Sequence, residues 1–142
     1  MRTLWGSATD QGLVRSINED SLLAYPPVFL VADGMGGHDA GNVASRVVVD
    51  EFTSLIGRDH ATTEQVHHAI VRAASRMREA LGDRTGGTTV AGAALTVIDD
   101  GEYWLVFNVG DSRVYRLGEA GLEQISVDHS VVQELLDSGE ID

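Results

Sequence analysis

Val28-Phe29-Leu30-Val31-Ala32-Asp33-Gly34-Met35-Gly36-Gly37 is the stretch on which the fold turns. Its five leading apolar residues form an unbroken run of strand length, bounded by Pro26-Pro27 and by Asp33-Gly34. The lack of apolar/polar alternation predicts a strand buried on both faces. The run delivers a carboxylate to a glycine-rich turn. A rigid element that presents an oxygen ligand there, with Gly34 leaving its own carbonyl approachable, can hold a hard divalent cation. Taken alone, the same residues also describe an ordinary turn aspartate.

Outward from this point the pattern is consistent. Upstream, Ser21 to Tyr25 reads as a second strand, linked hairpin-fashion through Pro26-Pro27. Before it lies the polar loop Arg15-Ser16-Ile17-Asn18-Glu19-Asp20, and before that a short strand over residues 3–9, closed by the turn Asp10-Gln11-Gly12. Downstream, Ala44, Val47, Val48, Phe52 and Leu55 repeat at helical spacing and predict a helix from Ala40 to Ile56, ended by Gly57. Val66, Ile70, Ala73, Met77 and Leu81 predict a second helix from Thr63 to Leu81, capped by Thr62 or Thr63 and closed by Gly82.

Strand signals then return. Thr88 to Ile98 and Glu102 to Val109 flank Asp99-Asp100-Gly101, a strong hairpin turn. Val114 to Leu117 and Leu122 to Ser126 flank a turn at residues 118–121, and a last helix is expected from Ser130 to Leu136. Strands, two helices and strands again indicate an α+β domain with a largely antiparallel sheet. Trp5 and Trp104 fall in strand-like runs and are expected in the core, whereas His60, His67 and His68 read as surface residues.

Composition narrows the chemistry. With 22 acidic and 10 basic residues among 142, the net charge of −12 disfavours nucleic acid and anionic membranes as partners. The absence of cysteine removes disulfides, thiolate metal sites and cysteine nucleophiles. No apolar run has spanning length and the first residues lack a signal-peptide core, so a cytoplasmic protein is expected.

Three polar segments can join Asp33. Arg15 can grip two phosphate oxygens with parallel hydrogen bonds. Glu19 and Asp20 add carboxylates, and Asp111 lies in the turn Asn108-Val109-Gly110-Asp111-Ser112-Arg113 as a hairpin residue or a further cation ligand. Arg15-x-x-x-Glu19-Asp20, Val31-Ala32-Asp33-Gly34-Met35-Gly36-Gly37-His38, Gly87-Thr88-Thr89, Gly110-Asp111-Ser112-Arg113 and Asp128-His129-Ser130 follow one another in that order. Together they resemble the successive motifs of bacterial metal-dependent serine/threonine protein phosphatases of the type 2C (PPM) family.

The resemblance implies a mostly antiparallel β-sandwich flanked by helices, with two manganese or magnesium ions, and in many members a third, at one end. By that resemblance Asp33 bridges the two metals, Gly34 offers its carbonyl, Glu19 binds directly or through water, and Asp111 binds a weaker ion. Arg15 holds the substrate phosphate. Asp20 is a supporting residue, with an exchange of roles between Glu19 and Asp20 left open. Thr88-Thr89 and Ser112-Arg113 are structural or supporting. Met35 stands where eukaryotic members carry a histidine, and His38 is a nearby supporting residue.

The implied reaction is hydrolysis of phosphoserine or phosphothreonine in proteins or peptides, opposite a serine/threonine kinase. The family domain continues past residue 142 with a flap, further strands and two more metal-binding aspartates, for which Asp137 and Asp142 lie too early. The chain therefore reads as a single, C-terminally truncated phosphatase domain over residues 1–142. Two readings stand: a phosphatase impaired by missing ligands, or a non-catalytic phosphatase-like binding module.

Overall fold

The computed structural model describes residues 2–37 and 39–128. Seven strands and two helices follow in the order β1 (Asp20–Tyr25), β2 (Val28–Gly36), α1 (Ala40–Phe52), α2 (Thr63–Leu81), β3 (Gly86–Thr88), β4 (Val90–Ile98), β5 (Gly101–Val109), β6 (Tyr115–Gly118) and β7 (Gly121–Gln124). The main sheet runs β1-β2-β4-β5 with β3 also on β2, and β6-β7 form a second sheet. Among the described residues every pairing is antiparallel. The α+β class expected from the sequence holds. The expected helix from Ser130 to Leu136 lies outside the described residues.

The core lies between the main sheet and the two helices. Val28, Leu30 and Ala32 of β2 are buried against Val47, Val48 and Phe52 of α1 and Val66, Ala69 and Ala73 of α2. Phe52 stacks on Phe107 of β5, with ring centroids 5.5 Å apart and planes within 6°. The helix α2 has the bounds its sequence foretold, because its end signals are local. Thr62 accepts from the Gln65 amide (3.1 Å) while the Gln65 side chain accepts from the Thr62 amide (2.9 Å), and Gly82 ends the helix at positive φ. Helix α1 gives way after Phe52 to a 3₁₀ turn over Thr53–Leu55, earlier than expected. The Thr53 hydroxyl donates to the Asp50 carbonyl at 2.6 Å, which competes with helical continuation.

Three expectations are corrected. Residues 3–9 form no strand, since no ladder partner pairs with them among the described residues. The strand β2 is buried on one face only: its other face carries Val31, 48% exposed. Trp5 and Trp104 lie on that outer face, 49% and 44% exposed, each packed edge-on or tilted on Phe29. The last two share a cause. Among the described residues only the short β6-β7 hairpin and the N-terminal segment approach this side.

Two further differences set up the site. The expected strand from Thr88 splits at Thr89 into β3 and β4, and β2 continues past Asp33 to Gly36. Residues 28–31 of β2 pair with β4, whereas Gly34, Met35 and Gly36 pair with Thr88, Gly87 and Gly86. Asp33 thus sits where β2 changes neighbours.

Candidate active site

The register of β1 on β2 decides which acidic residue meets Asp33. Tyr25 pairs with Val28 across the Pro26-Pro27 turn, and counting back places Asp20 opposite Asp33. Their carboxyl groups therefore lie close enough to perturb each other. Partial desolvation, then the proximity of the Asp20 carboxyl, raise the Asp33 carboxyl above its ordinary value, and the nearby Asp111 adds to the rise. Arg15 alone acts in the opposite sense. Asp33 is an exposed residue, so its desolvation is partial and the facing carboxylate is the more telling influence.

Arg15, Glu19, Asp20 and Asp33 line one small cleft, together with Asp10 and Gln11. The loop before β1 is tied rather than loose. The Gln11 side chain donates to the Arg15 carbonyl (2.9 Å), Asn18 donates to the Thr9 hydroxyl (2.7 Å), and the Asp20 amide donates to the Asn18 side chain (3.0 Å). These bonds hold the backbone that presents Arg15 and Asp20.

Asp33 is itself clamped from the other strand. Its amide donates to the Thr89 hydroxyl (3.2 Å), and its carbonyl accepts from the Thr89 amide (2.9 Å). The Thr89 hydroxyl is also bonded to that of Ser112. A chain of contacts thus runs from Asp33 through Thr89 to the turn carrying Asp111. Arg113 grips Asp128 through Nη2 at 2.7 Å and Nε at 3.0 Å, and Asn108 donates to the Val127 carbonyl at 2.8 Å. These contacts fix the end of β5 to the segment after β7, in line with a structural part for Ser112-Arg113.

Glu19 precedes β1 and its side chain reaches the start of α1. Its carboxyl carbon lies 2.9 Å from where a Cβ on Gly41 would stand. Gly34 and Gly41 also meet backbone to backbone. A Cβ on Gly34 would collide with the Gly41 carbonyl and come within 2.7 Å of the Glu19 carbonyl. Only glycine at both positions lets α1 close on β2 beside Asp33.

The structure therefore brings Arg15, Glu19, Asp20, Asp33 and Gly34 together and sets Asp111 within electrostatic reach. His38, expected to be a nearby supporting residue, lies outside the described residues. Asp10, Gly41 and Ser45 escaped the sequence reading. Asp10 passed as a turn residue, and it does accept from the Gly12 amide at 2.7 Å. Gly41 and Ser45 act through contacts distant in sequence, which leave no local signal.

A divalent cation fits this donor set. Two carboxylates that face each other across a strand pair repel unless a cation or proton lies between them. Among the described residues no three Asp, Glu or His side chains converge closely enough to hold an ion by themselves. The cation would rest on the Asp20–Asp33 pair, a backbone carbonyl and water.

Comparison with known proteins shows the family. The family model for protein phosphatase 2C matches residues 16–135. The chain belongs to the protein phosphatase 2C family. It is 36% identical to the serine/threonine phosphatase stp of Listeria welshimeri, covering 94% of this chain and 57% of that protein. It is 35% identical to the serine/threonine protein phosphatase PstP of Mycobacterium tuberculosis, over 96% of this chain and 27% of that one. The crystal structure of PstP/Ppp from Mycobacterium tuberculosis superposes with a TM-score of 0.80 at 35% identity, over 93% of this chain and 57% of the other. A structure of the PstP catalytic domain in complex with two manganese ions superposes at 0.73, with 35% identity over 93% and 58% of the two chains. The chain thus spans little more than half of the phosphatase domains it matches.

Proposed function

We propose that this chain is the N-terminal part of a manganese- or magnesium-dependent phosphatase acting on phosphoserine and phosphothreonine in proteins or peptides, working against a serine/threonine kinase. The observation that carries the reading is the Asp20–Asp33 carboxylate pair in one cleft with Arg15. Phosphate esters are doubly charged, and their hydrolysis calls for cationic stabilisation of the phosphoryl oxygens and an activated water.

In this reading Asp33 and Asp20 provide the carboxylates for the cations, Gly34 a carbonyl, Asp111 a ligand at the margin, and Glu19 a carboxylate acting directly or through water. A bound divalent ion supplies Lewis acidity, which lowers the pKa of water and offsets phosphoryl charge. The Arg15 guanidinium grips two phosphoryl oxygens and orients phosphorus toward the carboxylate pair. The Asp33–Thr89–Ser112 contacts keep that pair from drifting as charge builds on the substrate.

The test is hydrolysis of p-nitrophenyl phosphate and a phosphothreonine peptide with and without added manganese. Manganese-dependent turnover lost in Asp33→Asn supports the reading, and metal-independent turnover rejects it. A second reading, a non-catalytic binding module, draws on the few ligating side chains among the described residues. Calorimetry with manganese separates them, since tight binding of two ions favours the enzyme.

A further inference from the structure

Ser45 lies on the buried face of α1, completely shielded from solvent, and its hydroxyl reaches across to β1. It donates to the Glu19 carbonyl at 2.7 Å and lies 2.8 Å from the Ser21 hydroxyl, with the Asn42 carbonyl a longer 3.3 Å away. A hydroxyl has one proton. With that proton on the shorter bond to Glu19, Ser21 is the donor to Ser45. The same Glu19 carbonyl accepts the Gly34 amide at 3.3 Å. One buried side chain therefore holds the residues on both sides of Asp20, and shares an acceptor with the residue that follows Asp33.

We infer that Ser45 is a positioning residue for the Asp20–Asp33 carboxylate pair: its two hydrogen bonds to Glu19 and Ser21 set the position from which Asp20 faces Asp33. A helix interior needs no serine, and α1 would be better served by alanine on propensity alone. A hydroxyl in so apolar a setting persists through the partners it satisfies, and both lie on the strand segment that presents Asp20. Without it the start of β1 loses these hydrogen bonds to α1. The facing carboxylates, which repel, are then free to splay. The inference rests on reading that pair as cation ligands.

The experiment titrates the chain with Mn²⁺ alone, followed by electron paramagnetic resonance of the free ion, in wild type, Ser45→Ala, Ser21→Ala, Asp33→Asn and the core control Phe52→Leu. Ser45→Ala is expected to weaken Mn²⁺ binding about five- to tenfold, and Ser21→Ala about two- to threefold. Phe52→Leu is expected to lower Tm without changing Mn²⁺ affinity. In metal-free protein, the Asp20 amide should exchange faster with solvent in Ser45→Ala while α2 amides stay unchanged.

Binding that is lost in Asp33→Asn but equal in wild type, Ser45→Ala and Ser21→Ala overturns the role of Ser45 and leaves the metal reading standing. Equal weakening by Phe52→Leu overturns it too, by making the effect one of general stability. Mn²⁺ binding that is absent, or indifferent to Asp33→Asn, removes the metal reading and the inference with it. Should Ser45→Ala fail to fold, Ser21→Ala alone decides, because it deletes the bond on β1 and leaves the helix intact.

Discussion

Asp33 and Thr89 are joined twice: the Asp33 amide donates to the Thr89 hydroxyl, and the Thr89 amide donates to the Asp33 carbonyl. The first bond depends on the side chain. Replacing Thr89 with valine keeps shape and branching but leaves the Asp33 amide and the Ser112 hydroxyl without this partner. Removing one member of such a set costs about 1–3 kcal/mol. Thr89→Val should lower the urea midpoint accordingly with an unchanged slope, and Thr89→Ser should restore most of the loss.

The raised pKa of Asp33 makes a pH prediction with a definite sign. A carboxyl whose folded pKa exceeds its unfolded value contributes stability below the ordinary aspartate range, and that contribution is lost as pH rises through the folded value. Metal-free protein should therefore lose stability between the ordinary aspartate pKa and the elevated one, and Asp33→Asn should remove this dependence. At neutral pH, in chelator, Asp33→Asn should melt ~2–5 °C above wild type, as is common when a strained functional group is neutralised. Manganese at about 100 times its dissociation constant should reverse the order, adding about 2.7 kcal/mol to the wild type. Thermal melts across pH 3–7, with and without manganese, check both statements.

What the sequence made legible was governed by local chemistry. The capping pair Thr62–Gln65 and Gly82 bracket α2, and Asp99 and Asp100 both take positive φ, as the expected tight hairpin requires. Asp33-Gly34 and the Arg15 loop could be read because their residue types carry chemistry in themselves. Other features depended on neighbours far along the chain. The break at Thr89 exists because β2 changes partners there. Gly41 is glycine because Gly34 and Glu19 approach it. The exposure of Trp5 and Val31 reflects what covers a sheet face, which periodicity along one strand cannot tell.

The two helices are tied by Glu51 of α1, which accepts from Arg76 at 2.8 Å and Arg72 at 3.0 Å of α2. The Arg76 hydrogen bond first, then that of Arg72, lower the Glu51 pKa. A lowered carboxylate pKa gives stability that is present above the unfolded value and lost as pH falls through the folded one. Both arginines are about half exposed, so solvent screening limits the gain. Glu51→Gln should cost about 0.5–1 kcal/mol at pH 7 and low salt. The difference should shrink in 1 M salt and vanish at a pH low enough to protonate Glu51, as read by denaturation at each condition.

Gly34 and Gly41 can be separated from Gly37 and Gly87 by what surrounds them. A methyl at Gly34 collides with the Gly41 carbonyl, and one at Gly41 comes within 2.6 Å of the Met35 amide nitrogen. Both obstacles are backbone, so relief requires α1 to move off β2 and the core behind Val47 and Val48 to open. Overpacking at such a contact costs about 1–3 kcal/mol or more. Among the described residues, Gly37 and Gly87 have no atom within 4 Å of an added Cβ, and neither takes a positive φ. Gly37→Ala and Gly87→Ala should therefore melt within a degree or two of wild type, whereas Gly34→Ala and Gly41→Ala should lose several degrees or fail to fold. If calorimetry found all four alanine variants equally stable, the close approach of α1 to β2, which places Glu19 and Ser45 beside the carboxylate pair, would not exist in solution.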